Sequence, residues 1–350
     1  MILVTGGAGF IGSHFVVDWL ARSAEHIVNL DKLTYAGDLE NLQSLAGDDR
    51  HILVHGDICD VALIQSILIR YKPRAIINFA AESDVDRSIF AAEKFIQSNI
   101  VGVFRLLEAA RAYWSVMSTA LKSSFRFVQV STDEVYGSLG GCDRAFTESD
   151  RYEPSSPYAA SKASADHLVR ASYRTYGLPV LTTNCANNYG PRQFPEKLIP
   201  LMITHALQGK PLPVYGDGLQ VRDWLYVGDH CKAIRMVLEA GRPGHTYNVG
   251  CQGERTNIDV VRSICLLLDE MAPRLAAGAT ARYEALIEYV EDRPGHDTRY
   301  AIDSSKIALD LGWTAEQSFE AGLRKTVRWY LDNPGWAANI QKRLNSGEMV

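Results

Sequence analysis

The chain has 350 residues, 47% hydrophobic and 22% charged, the profile of an ordinary globular protein large enough to bury its own core. Thirty-six Lys and Arg stand against 41 Asp and Glu, a net charge of −5. That balance excludes the basic footprint of a nucleic-acid binder and a polybasic membrane-surface segment.

The first residues, Met-Ile-Leu-Val-Thr-Gly-Gly, read as a strand entering a turn, not as a signal peptide. Short β-branched runs at Ile2–Thr5, Ile27–Asp31, Ile52–His55, Ala75–Phe79, Arg126–Ser131 and Pro179–Asn184 predict strands. Between them, helical patterns run near Ile11–Arg22, Val61–Tyr71, Ala91–Tyr113 and Ser156–Tyr176. Alternation of this kind predicts βαβ units and a doubly wound parallel sheet. From about Cys185 the rhythm changes. Pro191, Pro195, Pro200, Pro211 and Pro213, with Gly216 and Gly218, predict loops over a cleft. A strand at Thr246–Val249 is expected to return to the main sheet, and helices near Ile258–Met271 and Phe319–Tyr330 to build a smaller lobe.

Cys59, Cys142, Cys185, Cys231, Cys251 and Cys265 are scattered without a CxxC spacing. Buried reduced thiols are expected, and no metal. No uncharged apolar run approaches the ~20 residues of a membrane span, so a soluble cytoplasmic protein is expected.

Gly6-Gly7-Ala8-Gly9-Phe10-Ile11-Gly12 follows the first strand and opens the first helix. Glycines 6, 9 and 12 permit a tight turn, backbone approach to a pyrophosphate, and close helix–strand packing. Asp31 ends the second strand, where an acid binds ribose hydroxyls and repels a 2′-phosphate. The expected cofactor is therefore NAD, not NADP. Asp57, after the third strand, is placed for an adenine contact or for an ordinary turn.

Tyr158 and Lys162 are spaced i, i+4 and share a helix face. An ammonium near a phenol lowers the phenol's pKa and prepares it as a base for an alcohol proton. Ser131-Thr132-Asp133-Glu134 follows the fifth strand, at the edge where such sheets place ligands. Thr132 can hydrogen-bond a reacting hydroxyl. Asp133 is either a catalytic acid or a helix cap.

These motifs resemble the extended short-chain dehydrogenase/reductase family, on its nucleotide-sugar 4,6-dehydratase branch. The likeness runs through Thr5–Gly12, Asp31–Gly37, Ala80-Ala81-Glu82-Ser83, Ser131–Gly137, Tyr158–Lys162, Asn184–Leu201, Arg222–Val227 and Asp292–Asp297. It implies an α/β, Rossmann-type doubly wound sheet with a smaller C-terminal substrate lobe. Residues 1–184 with roughly 219–249 would bind NAD, and 185–218 with 250–350 the nucleotide sugar. Tyr158 would be the base at the sugar C4 hydroxyl, helped by Thr132 and Lys162. Asp133 would protonate the departing C6 hydroxyl, and Glu134 would remove the C5 proton. A C4 ketone acidifies the C5 hydrogen, so water is lost across C5–C6 and hydride returns to C6.

For the cofactor the resemblance adds Phe10, Ile11, Lys32, Leu33 and Thr34 around the glycine turn and Asp31. It adds Ile58, Phe79, Ala80, Ala81 and Ser98 along the same groove, and Asn188 on the nicotinamide side. For a dTDP-glucose-type substrate it implies Ser83 and Thr132 at the sugar. Arg222 and Arg293 suit bidentate phosphate contact, with Lys197, His296, Asn187 and Asn257 as further donors and Leu198, Pro213 and Tyr215 beside them. It also implies a homodimer pairing the helices near Ala91–Tyr113 and Ser156–Tyr176. Asp84 stands where the family carries His, and Gly228 where a glutamate is common. A sibling enzyme on another nucleotide sugar, such as a UDP-glucose dehydratase or a 4-epimerase, or a non-catalytic NAD-sensing protein on the same fold, is the alternative.

Overall fold

The structure is a computed structural model that describes residues 1–140, 143–273 and 282–346. Cys142 lies outside the described residues. The six early strands form within a residue of their expected bounds: β1 (Ile2–Thr5), β2 (Ile27–Asp31), β3 (His51–His55), β4 (Ala75–Asn78), β5 (Arg126–Thr132) and β6 (Val180–Cys185). They are followed by β7 (Asn187–Tyr189), β8 (Leu212–Tyr215), β9 (Val221–Tyr226), β10 (Thr246–Val249), β11 (Glu254–Thr256) and β12 (Ile287–Val290).

Strands β1 to β6 and β10 make one parallel sheet in the order β10-β6-β5-β4-β1-β2-β3. The chain winds outward from β1 to β3, then crosses back to β4 and winds the other way. That reversal leaves a crevice beyond the carboxyl ends of β1 and β4, where sheets of this kind bind ligands. The side chains of Ile2 and Val4 enter one apolar cluster, while Leu3 enters the cluster on the opposite face. Both faces are covered, which is why these strands read as unbroken apolar runs.

Two expectations from sequence are corrected. The segment from Ala91 to Tyr113 is not one helix: it splits into Ala92–Phe95, a π-helical stretch Ile96–Gly102, and Val103–Ser115. Within the π stretch, Asn99 turns inward, bonding the Glu82 amide at 2.9 Å, the Glu82 carbonyl at 3.0 Å and Ser161 Oγ at 2.8 Å. Such local widening recurs at functional sites. The proline-rich region also holds a helix, Leu198–Leu207. Pro200 sits in its first turn, where an amide would have no helical partner anyway. Ile199, Met202, Ile203 and Ala206 are buried along it.

That helix packs with Asn257–Met271 and Phe319–Asp332 in a second apolar cluster, apart from the two on the main sheet. Strand β9 lies outside the main sheet, between β7 and β11. Among the described cysteines, Cys185, Cys231 and Cys265 are buried, but Cys59 and Cys251 are only partly so.

Candidate active site

The glycine turn is sterically obligatory. Gly6 has φ +73°, and a Cβ there would lie 2.6 Å from the Ala80 amide nitrogen. A Cβ at Gly12 would run into the Gly6 carbonyl. At Gly9 the nearest atom is 3.4 Å away, and no side chain caps the helix that begins at Phe10. The first-turn amides are therefore open toward the crevice, as an anion requires.

Asp31 is buried and accepts from the Ala8 and Leu33 amides, each at 2.8 Å. Burial raises its pKa, and the two amides oppose that rise. Lys32 pairs with Asp57 at 2.8 Å. The crevice, about 310 Å³, runs from the glycine turn past Asp31, Thr34, Asp57 and Ile58. It continues by Phe79, Ala80, Ala81 and Ser98 to Thr132, Tyr158, Lys162 and Asn188. Leu33 is the exception: its side chain packs on the main apolar cluster, and its contribution is the amide held by Asp31.

At the far end of the crevice β5 stops at Thr132, and Asp133–Tyr136 form a single 3₁₀ turn. The Thr132 hydroxyl accepts the Glu134 amide at 3.3 Å and donates to Asp133 Oδ1 at 3.4 Å. Asp133 is 2% exposed, and its Oδ2 has no hydrogen bond. Burial, then the charges of Glu134 and Asp223, push the Asp133 pKa well above the carboxylate range. Glu134 is raised by burial too, but Arg293, Lys197 and Arg222 all pull it back.

Tyr158 lies one turn before Lys162 on the buried face of the Pro157–Tyr176 helix. Burial, then the charge of Glu134, hold the phenol well above its ordinary value, and Thr132 opposes them. Tyr158 and Lys162 line the same crevice, but the ammonium does not take the phenol as its hydrogen-bond acceptor. Lys162 Nζ donates instead to the Val130 carbonyl at 2.7 Å, and the charged group acting on it is Asp166. Shared helical spacing brings side chains to one face without choosing their acceptor.

Beyond Glu134 stand the cations. Arg222 is 5% exposed, donates to the Val221 and Asp297 carbonyls at 2.8 and 2.9 Å, and lies 4.3 Å from the Tyr300 ring centroid. The hydrogen-bond acceptors of this buried guanidinium are thus neutral carbonyls. Arg293 pairs with Asp86 at 2.8 Å and leaves its Nε unpaired. Tyr215 donates to the same Asp86 at 3.3 Å, and His296 lies 2.6 Å from Asp292. Lys197 Nζ bonds the Ser83 carbonyl at 2.9 Å and Asp84 Oδ2 at 3.2 Å.

Ser83, Asn187 and Lys197 line the crevice; Leu198, Pro213, Tyr215, Arg222, Asn257, Arg293 and His296 do not. The buried Asn187 Oδ1 is also unpaired. Asp84, one of the departures from the family pattern, caps the Val85–Phe90 helix through the Arg87 amide at 2.7 Å. Gly228 lies in the first turn of the Val227–Ala240 helix, where a Cβ would come within 3.1 Å of the Tyr226 ring.

Three residues near the site escaped sequence reasoning. Glu196 lines the crevice, accepts from Tyr35 at 3.1 Å, and is pushed by burial to about 7. His230 Nδ1 donates to Asn188 Oδ1 at 2.9 Å and so fixes that amide. Asp166 was visible only as a third polar position at i+4 from Lys162.

A crevice made by a glycine turn at the switch of a parallel sheet, ending in a Thr-Asp-Glu turn beside Tyr158 and Lys162, defines an extended short-chain dehydrogenase/reductase. The family model described as GDP-mannose 4,6 dehydratase matches residues 3–326, and the chain belongs to that family. It is 59% identical over 339 residues to the dTDP-glucose 4,6-dehydratase of Neisseria meningitidis serogroup B, covering 97% of this chain and 95% of the relative. The Escherichia coli K12 dTDP-glucose 4,6-dehydratase 1 is 53% identical over 348 residues, covering 97% and 95%. Among solved structures, the dTDP-glucose 4,6-dehydratase DesIV of Streptomyces venezuelae, with NAD and TYD bound, superposes with a TM-score of 0.87. It is 46% identical and covers 97% of this chain and 99% of its own. The UDP-glucose 4-epimerase of Thermus thermophilus, in complex with NAD, superposes at 0.80 with 30% identity, covering 94% and 98%.

Proposed function

We propose that this chain converts dTDP-glucose to dTDP-4-dehydro-6-deoxyglucose and water, a hydro-lyase step of deoxysugar biosynthesis with NAD as resident cofactor. The observation that carries the reading is the contrast between Asp133 and Glu134. Adjacent carboxylates with opposed surroundings divide into an acid and a base. Asp133, buried beside other acids, keeps its proton and delivers it to the leaving C6 hydroxyl. Glu134, where the charges of Arg293, Lys197 and Arg222 oppose the rise that burial causes, takes the C5 proton. A 4-epimerase has no elimination and no use for this division.

Tyr158 takes the proton of the C4 hydroxyl, with the Thr132 hydroxyl beside it. A phenol raised this far keeps its own proton and can take the C4 proton only once positive charge lowers its pKa and frees the phenolate; Lys162 is the buried cation one turn along. Bound NAD supplies the hydride acceptor for C4 and the donor for C6. The structure suits that cofactor: the open first-turn amides can donate to pyrophosphate oxygens, and the Asp31 carboxylate can accept from ribose hydroxyls. Arg222, Arg293, Lys197 and His296 hold the sugar's diphosphate, with Asn187, Asn257, Leu198, Pro213, Tyr215 and Ser83 completing the substrate side.

Residues 1–184 with 219–249 form the cofactor-binding unit in this reading, and 185–218 with 250–350 the nucleotide-sugar unit. Ile96 is 47% exposed and Phe104 49%, and these exposed apolar side chains support a homodimer through the helices of residues 91–113 and 156–176. Among the described residues no helix is long and apolar enough to cross a membrane, in keeping with a cytoplasmic enzyme. Purified protein incubated with dTDP-glucose and with UDP-glucose, with 4-keto product followed in each, tests the reading. Product from dTDP-glucose is expected. A C4-inverted sugar, or turnover of UDP-glucose alone, overturns it.

A further inference from the structure

The Pro157–Tyr176 helix carries a third ionisable group on the face that holds Tyr158 and Lys162. Asp166 follows Lys162 by four residues, so the three stack along one side of the helix, and all are buried. Asp166 Oδ2 accepts from Ser131 Oγ at 2.7 Å and from the Tyr152 hydroxyl at 3.4 Å. Ser131 is the residue directly before Thr132-Asp133-Glu134. The other oxygen, Oδ1, is buried with no hydrogen-bond partner. A carboxylate so placed stays charged only beside a compensating cation.

Lys162 is that cation, and Asp166 in turn opposes the loss of the lysine's charge on burial. Tyr152 before the helix and Tyr136 in the 3₁₀ turn also face Asp166, and Cys185 of β6 faces Lys162. Burial drives all three upward, so they are neutral near pH 7. His167 is exposed and packs on the Tyr152 ring. The negative charge available to Lys162 is thus that of Asp166.

We propose that Asp166 is a positioning residue, which keeps Lys162 charged behind Tyr158 and ties that helix face to the strand end bearing the Thr-Asp-Glu turn. The proposal rests on the catalytic reading of Lys162 given above. Asp166 itself is held at about 7, so it is ionised on the alkaline side, where Lys162 needs support.

The test is the pH profile of kcat/KM for dTDP-glucose. Lys162 must carry its proton, and deleting the neighbouring negative charge lowers the pH at which that proton is lost. Asp166→Asn keeps the acceptor for Ser131 and is expected to move the alkaline limb down by about one pH unit or more, with KM little changed. Ser131→Ala removes the hydroxyl but not the charge, and the limb is expected to stay in place. Should Asp166→Asn not fold by circular dichroism, Asp166→Glu against Asp166→Gln puts the same question at equal side-chain length. An alkaline limb at its wild-type position in the uncharged variants, whatever the loss in rate, overturns the proposal. Lys162→Met separates the two failures. Full activity in that variant sinks the catalytic reading of Lys162. An inactive Lys162→Met with an unmoved Asp166→Asn limb sinks this inference alone.

Discussion

Asp31 accepts the amide proton of Ala8 at 2.8 Å, so the acid at the end of β2 braces the glycine turn that it faces across the crevice. Its second oxygen holds Leu33 in the left-handed region, φ +53°. Cofactor binding and local order therefore share one carboxylate. Asp31→Ala is expected to weaken NAD binding by about 1–3 kcal/mol, the loss of a charge-assisted hydrogen bond, and to lower the melting temperature because the buried Ala8 amide and the half-buried Leu33 amide lose their acceptor. Calorimetry should show NAD binding the wild type well and NADP poorly. Equal affinity for the two dinucleotides contradicts the role given to Asp31.

The acid and base assignments separate by substitution. Glu134→Gln keeps shape but cannot take the C5 proton, and Asp133→Asn cannot protonate the C6 hydroxyl. Each is expected to lower the rate of water loss by about 10²–10⁴-fold. Both should still oxidise C4, seen as absorbance of reduced dinucleotide in a single turnover, whereas Tyr158→Phe should block even that. Wild-type dehydration in both carboxylate variants removes the pair from the chemistry.

Arg222 is held on the Tyr300 ring and by two carbonyls. Arg222→Ala should raise KM for the nucleotide sugar and leave NAD affinity nearly unchanged. Arg222→Lys should recover only part of the loss, because a point charge cannot reproduce the planar fork or its stacking. An unaltered KM in the alanine variant takes Arg222 out of the substrate site.

Burial depresses His230 from 6.5 to about 3 and His14 to about 4. Below pH 6.5 the unfolded chain takes up protons that the folded chain refuses, so stability falls as the pH drops toward 4. At 1.36 kcal/mol per pKa unit, His230 contributes at most about 3 kcal/mol of that loss between pH 6.5 and 4. Urea titrations at pH 7 and pH 5 should show it. His230→Gln, which keeps a donor for Asn188, should flatten the dependence. An equally steep fall in the variant places the acid sensitivity elsewhere.

The strands of the main sheet, the glycine turn with Asp31, and the shared face of Tyr158 and Lys162 were readable from sequence, because each depends on residues a few positions apart. Short β-branched apolar runs, a φ open to glycine and a spacing of four are local signals. The π-helical stretch was not readable, because Asn99 is drawn inward by Glu82 and Ser161, residues far from it along the chain. Nor was the helix through Pro200, whose proline is harmless only because a buried face sets where the helix begins. The division between Asp133 and Glu134 is also tertiary. Neighbours with the same functional group differ only when Asp223 approaches one, and Arg293 and Lys197 stand about the other, from distant segments. Lys162 bonds the Val130 carbonyl and answers to Asp166 for the same reason: local spacing selects the face a side chain occupies, while burial and the charges brought in by the fold select its partner and its proton.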